Sequence, residues 1–135
     1  MPKIVCSVSH PRGGLVRISP AEAIGMIATM GRLYGWHQED AVGSYRGQLE
    51  PSMIIDGNQL TLDSHHLDIL CDLLEACGQE SLVFIDCRGF AKLIYMNGRP
   101  AEYLGRWSEV SLEEMEDAPP ENWTRMSGGR FFTTK

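Results

Sequence analysis

QESLVFIDCRGFAKLIYM, residues 79–96, sets two apolar runs, Ser81–Cys87 and Phe90–Met96, on either side of Arg88-Gly89. Asn97-Gly98 follows at once, and Asn-Gly is a strong hairpin signal because both residues accept positive φ cheaply. The spacing predicts a three-stranded antiparallel meander with Phe90–Met96 in the middle and Arg99–Leu104 as its third strand. Pro100 has no N–H to give to a ladder, which predicts an edge position for that third strand.

Upstream, Lys3–Ser9 alternates with Ile4, Cys6 and Val8 on one face. The turn cluster His10–Gly14 then leads into an expected short strand at Leu15–Ile18. Ser19-Pro20-Ala21-Glu22 is a helix start: Ser19 caps, Pro20 suits the first helical position, and Glu22 completes a capping box. Ala23, Ile24, Ile27, Met30 and Tyr34 fall at helical spacing, and Gly35 is the stop. Trp36–Asp40 is polar and expected as a loop. Val42–Ile55 reads as two strands, or as one long strand bulged at Glu50-Pro51, with Gln59–Leu62 as an extension. Asp63 or Ser64 caps a second helix with an apolar stripe of Leu67, Leu70, Cys71, Leu74 and Cys77, and Gly78 is placed for a left-handed cap.

The expected order is therefore ββαββαβββ. The expected class is α+β: a mostly antiparallel sheet with two helices packed on one face, followed by an acidic C-terminal segment. Residues 1–105 form the expected core domain. Residues 106–135 form an acidic and aromatic C-terminal segment, with Trp123, Phe131 and Phe132, that packs on the core or on a partner.

The chain of 135 residues is 43% hydrophobic and 22% charged, the balance of a globular domain rather than a disordered one. No apolar run approaches the about 20 residues of a membrane helix, and the N-terminus lacks a signal peptide's apolar stretch. A cytoplasmic protein is expected. A net charge of −6 argues against direct nucleic-acid binding, which needs basic stripes, and permits a partner protein with a basic surface. Cys6, Cys71, Cys77 and Cys87 lie among apolar neighbours and are expected as core thiols rather than as disulfides or metal ligands.

The candidates for chemistry are few. Tyr45-Arg46-Gly47 with Glu50 and Ser52 places a charge beside a glycine, which suits close approach of a ligand; the simpler reading is an exposed strand face with a bulge at Gly47. His65 and His66 with Cys71 and Cys77 miss the i, i+4 spacing of a helical metal site, and no C-x-x-C is present, so no metal is expected. Cys6 and His10 have no third orienting group. Arg12-Gly13-Gly14 lacks a P-loop's context, although Arg beside glycines can hold a small anion. Glu109–Asp117 is the most distinctive surface feature. It is either a solvated face or an acidic patch for a basic partner, with Trp107, Leu112 and Met115 as anchors beside Glu109, Glu113, Glu114, Glu116 and Asp117.

The run Tyr45-Arg46-Gly47-x-x-Glu50-x-Ser52, followed after a helix by Gly78-Gln79-Glu80-Ser81 and an apolar strand, resembles small phage-encoded α+β accessory proteins over about Gly43–Leu104. The resemblance implies a phage or mobile-element setting in a bacterial host cell and carries over no catalytic residue. The expected function is accordingly a non-enzymatic accessory protein. It would bind and inhibit or modulate a host protein, such as an antiviral-defence component, through its acidic surface, with no cofactor. The alternative is a small-ligand, nucleotide-like binder or sponge using Arg12, Tyr45, Arg46, Glu50 or Arg88, possible as a homo-oligomer. The balance of these readings is against an enzyme. The one enzymatic arrangement in view pairs Glu50 with His65 or His66.

Overall fold

The computed structural model describes residues 1–8, 16–45, 47–62, 64–96 and 98–135. Its elements run β1 (Lys3–Cys6), α1 (Pro20–Tyr34), β2 (His37–Tyr45), β3 (Gln48–Asp56), α2 (His65–Ala76), β4 (Ser81–Ile85), β5 (Phe90–Tyr95), β6 (Glu102–Val110), α3 (Leu112–Asp117), β7 (Trp123–Met126) and β8 (Phe131–Thr134). Every pairing is antiparallel, and the strands close into a barrel in the order β1-β3-β2-β7-β8-β6-β5-β4. The expected α+β sheet with two helices on one face is corrected to a closed antiparallel barrel, with eight strands and three helices among the described residues.

The tail makes the difference. β7 and β8 form a hairpin that pairs on one side with β2 and on the other with β6. Without it those two strands would be open edges, and closure removes unpaired backbone groups that would otherwise template association. The third meander strand is therefore not an edge. Pro100 lies before β6, outside the ladder. β6 pairs with β5 through Glu102–Arg106 and then with β8 through Trp107–Val110.

Two further expectations are corrected. Trp36–Asp40 is not a loop, since β2 begins at His37 and pairs along its whole length with β3, from His37 against Asp56 to Tyr45 against Gln48. Polar residues are tolerated there because nine consecutive rungs satisfy the backbone. Val16–Ile18 is not a strand. Instead the N–H groups of Arg17 and Ile18 donate to the Ala76 carbonyl at 2.7 and 3.2 Å, satisfying an acceptor at the end of α2 that the helix leaves open. Leu15 and the turn at His10–Gly14 lie outside the described residues, as do Arg46, Asp63 and Asn97.

The helices follow their local signals. Ser19 Oγ accepts from the Glu22 N–H in a capping box, and Gly35 ends α1 with a φ of 74°. Ser64 Oγ accepts from the Leu67 N–H at the start of α2, and Gln79 N–H donates to the Leu74 carbonyl beyond its end. Both helices bury their apolar stripes, Ala23 and Ile27 from α1 and Leu67, Leu70 and Leu74 from α2, in one cluster with Ile4, Cys6, Met53, Ile55, Leu82 and Phe84 of β1, β3 and β4. These strand residues are cross-strand neighbours on one face, so that face is the outside of the barrel. Val5, Ile54, Val83, Ile85 and Ala91 alternate to the inside. Among the described residues, no helix is long and apolar enough to cross a membrane.

At the closure, Gly105 pairs with Ala91 and takes a φ of 103°. A Cβ at Gly105 would overlap the backbone carbonyl of Lys135, whose N–H and C=O both bond to Arg106, at 2.9 and 2.8 Å. Gly105→Ala is expected to cost about 2–4 kcal/mol, from a strained φ plus displacement of the terminal strand. Gly98→Ala has a φ of 78° but open space around the new Cβ, and is expected to cost only about 1–2 kcal/mol. Denaturant midpoints of the two variants check the difference, and equal losses would show that the clasp at Lys135 contributes nothing.

Candidate functional site

Strand register brings several polar and aromatic side chains to one end of the barrel. Across the β2–β3 hairpin, Tyr45 pairs with Gln48, Gly43 with Glu50, Ala41 with Ser52 and Glu39 with Ile54. Ile54 faces inward, so Tyr45, Gln48, Glu50 and Ser52 belong to the same inner row, towards the hairpin end. On the other side of the barrel, Tyr95 pairs with Ser81 and shares its face with Leu93 and Ala91, while Glu102 pairs with Leu93. Gly43 has a steric reason to lack a side chain, because a Cβ there would lie 3.1 Å from Ser52 Oγ.

The Tyr95 hydroxyl donates to Glu102 Oε2 at 2.7 Å, and the Arg99 guanidinium lies 4.1 Å from the Tyr95 ring centroid. That is within range of a cation–π contact. The hydrogen bond to the Glu102 carboxylate is the main cause that raises the Tyr95 pKa above the usual tyrosine range. Partial burial, the Glu102 charge and the nearby Tyr45 push the same way, and Arg99 opposes them. The mouth is thus lined by two phenols and two carboxylates, with a guanidinium on its rim. Tyr45 and Glu50 were legible as a motif. Tyr95, Arg99 and Glu102 were not, since only the barrel carries the end of β5 round to the β2–β3 hairpin.

Because the folded state raises the pKa of Tyr95, its protonated form is the one the fold favours. That contribution is complete below the ordinary tyrosine pKa and is lost as the pH climbs through the raised value. In a spectroscopic titration Tyr95 is expected to ionise above the usual tyrosine range, and Glu102→Gln to return it to that range. Titration of Tyr95 unchanged by Glu102→Gln would show that the hydrogen bond does not control it.

The other expected site residues lie elsewhere. Arg12 and Arg46 are outside the described residues. Arg88 sits in the β4–β5 turn, at the opposite end of β5 from Tyr95; its N–H donates to Asp86 Oδ1 and its carbonyl accepts from Arg106. The structure therefore does not bring Arg88 to Tyr45 and Glu50. Nor does it bring His65 or His66, at the start of α2, to Glu50. His66 packs at the N-terminus of α2 against Tyr34 and Trp36, with ring centroids at 4.3 and 5.8 Å, whereas Glu50 belongs to the barrel's inner row.

The acidic stretch divides between two elements. Glu109 is on β6 and holds Arg130 through both carboxylate oxygens, at 3.2 and 2.6 Å, which lowers the Glu109 pKa. Glu113, Glu114, Glu116 and Asp117 are exposed on the six-residue α3, capped by Ser111, and Glu114 lies 3.9 Å from Lys135 Nζ. Trp107 is half-buried and stacks parallel on Phe132 at 5.3 Å; Leu112 is exposed and Met115 half-buried. Two shallow open depressions mark the surface here, one beside Ser111, Glu113, Glu114 and Asp117, the other along Asp40, Arg125, Met126 and Ser127.

Among the cysteines, burial pushes the Cys6 thiol up to about 12 and Cys71 to about 11, and raises Cys77. Cys87 is exposed in the β4–β5 turn, which corrects its expected place in the core: the strand stops at Ile85, two residues early, to make room for the turn. No three His, Cys, Asp or Glu side chains among the described residues are grouped to hold a metal ion. Brief alkylation of the native protein near neutral pH is expected to label Cys87 and spare Cys6, with Cys6 labelled only after unfolding. Peptide mass mapping checks this, and rapid native labelling of Cys6 would contradict its burial.

Compared with known families, residues 21–135 match the model of the S-adenosylmethionine lyase family. No curated protein matches the chain. The family is described by an enzymatic activity, which overturns the expected non-enzymatic inhibitor of a host protein. The acidic surface suggested a binder because surface charge is conspicuous in a sequence, whereas an active site assembled from the ends of distant strands is not.

Proposed function

The chain belongs to the S-adenosylmethionine lyase family, and from that premise we propose that it cleaves S-adenosylmethionine at its sulfonium centre, at the barrel mouth formed by Tyr45, Glu50, Tyr95 and Glu102. The observation that supports this placement is the meeting of two aromatic rings and two carboxylates, drawn from both sides of the barrel, at one end of it. Such a lining suits a small organic cation, for which ring faces and carboxylates are the natural partners.

The chemistry asks little of the protein. A carbon–sulfur bond breaks, its electron pair stays on sulfur, and the sulfonium becomes a neutral thioether. The released carbon is satisfied within the substrate, either by the substrate's own carboxylate oxygen closing a ring or by loss of a proton from the neighbouring carbon. No water, oxidant or metal enters the balance of either route. Positive charge disappears as the bond breaks, so a carboxylate pressed against sulfur would hold the substrate better than the transition state and slow the reaction. Ring faces attract the sulfonium more weakly. Tyr45 and Tyr95 are therefore assigned to flank the sulfur. Glu50 is assigned to draw the cation into the mouth and, on the elimination route, to take the proton. The resemblance to phage-encoded proteins supports a phage-type setting, and a substrate made in the bacterial cytoplasm supports that compartment.

Incubation with S-adenosylmethionine, followed by chromatography of the nucleoside products, tests the reading. The unaltered protein is expected to convert the substrate to a thioether nucleoside. Glu50→Gln and Tyr45→Ala are each expected to lower kcat/KM by about 10²-fold, the usual scale for a positioned catalytic or binding group. A protein that leaves S-adenosylmethionine intact, or a Tyr45→Ala/Glu50→Gln double variant with full activity, would overturn it.

A further inference from the structure

Arg99 and Glu102 present opposite charges at two places on one tyrosine. The guanidinium of Arg99 lies over the face of Tyr95, 4.1 Å from its centroid, and the carboxylate of Glu102 takes the hydroxyl at the rim, 2.7 Å away. Both side chains are exposed, and both stand at the end of the barrel where Tyr45 and Glu50 converge. Tyr95 is fixed by its place on β5 opposite Ser81, so the tyrosine acts as a spacer that holds a cation and an anion in a set relation.

We infer that Arg99 and Glu102 form a clamp for a free α-amino acid zwitterion, Arg99 taking the α-carboxylate and Glu102 the α-ammonium of the substrate's methionyl end. The inference rests on the lyase reading of the same mouth and adds to it a specificity rule. A guanidinium pairs a carboxylate in two parallel hydrogen bonds, and a carboxylate accepts up to three from an ammonium in turn, so opposite charges at neighbouring positions select a zwitterion over either single charge. The clamp would hold the amino-acid end at the rim and leave the sulfonium to the rings of Tyr45 and Tyr95. It also gives Tyr95 a second role. The tyrosine's hydroxyl orients the Glu102 carboxylate and its face supports the Arg99 side chain, so that Tyr95 is a positioning residue for both.

The test separates this rule from the cleavage itself by using S-adenosylhomocysteine, which keeps the zwitterion but has no sulfonium to lose. Its equilibrium binding is measured by calorimetry against that of its decarboxylated analogue. The unaltered protein is expected to prefer S-adenosylhomocysteine by about tenfold or more, as a charge-assisted pair predicts. Arg99→Met is expected to abolish that preference while leaving binding of the decarboxylated analogue unchanged, and Arg99→Lys to restore part of it. Glu102→Gln is expected to weaken both ligands alike, because both retain the ammonium. In turnover of S-adenosylmethionine, Arg99→Met should raise KM by a similar factor. Equal binding of the two ligands by the unaltered protein, or a preference that survives Arg99→Met, would overturn the clamp even if S-adenosylmethionine is consumed. Failure to consume S-adenosylmethionine would instead overturn the lyase reading, whatever the binding shows.

Discussion

The pairing of the β7–β8 hairpin with β2 and β6 is the constraint on which the rest of the molecule depends. Six strands in the order β2-β3-β1-β4-β5-β6 would leave β2 and β6 with unpaired backbone along their outer sides. The hairpin supplies both sides at once, and the Arg106–Lys135 bonds complete the seam beyond the last rung of β8. Gly105 belongs to the same seam. Its left-handed φ and missing side chain let the chain end pass directly over β6.

Closure also fixes what each strand face can do. The outer face of β1, β3 and β4 is apolar and covered by α1 and α2, which makes it the main core. The inner face changes character along the barrel. Ile54, Ile85 and Ala91 are buried within, and the row ends in Glu50, Tyr45, Tyr95 and Glu102. A strand that alternates every second residue can therefore carry core on one side and chemistry on the other, with no break in its ladder. This is how a chain of ordinary composition hides a candidate site.

The acidic α3 illustrates the opposite case. Its carboxylates are prominent in the sequence, yet Ser111 caps it, Glu114 lies near Lys135, and Glu109 is taken by Arg130 within the neighbouring strands. Exposed pairs of this kind contribute little to stability. Their number in a short stretch draws attention out of proportion to what they hold.

By itself the sequence determined whatever depends on neighbours a few residues apart. Ser19 with Glu22 sets the start of α1, Gly35 its end, Ser64 the start of α2, and the apolar runs around Arg88-Gly89 the β4–β5 hairpin. Tyr45, Glu50 and Ser52 stood out for the same reason, since a strand's alternation is visible within one segment. Tertiary structure alone decided the barrel, because nothing local in Trp123–Met126 or Phe131–Thr134 says that these four-residue strands meet β2 and β6. It alone also placed Tyr95, Arg99 and Glu102 at the same mouth as Tyr45. That meeting spans about half the chain and follows from ring closure, a condition on all eight strands together that no single stretch of residues contains.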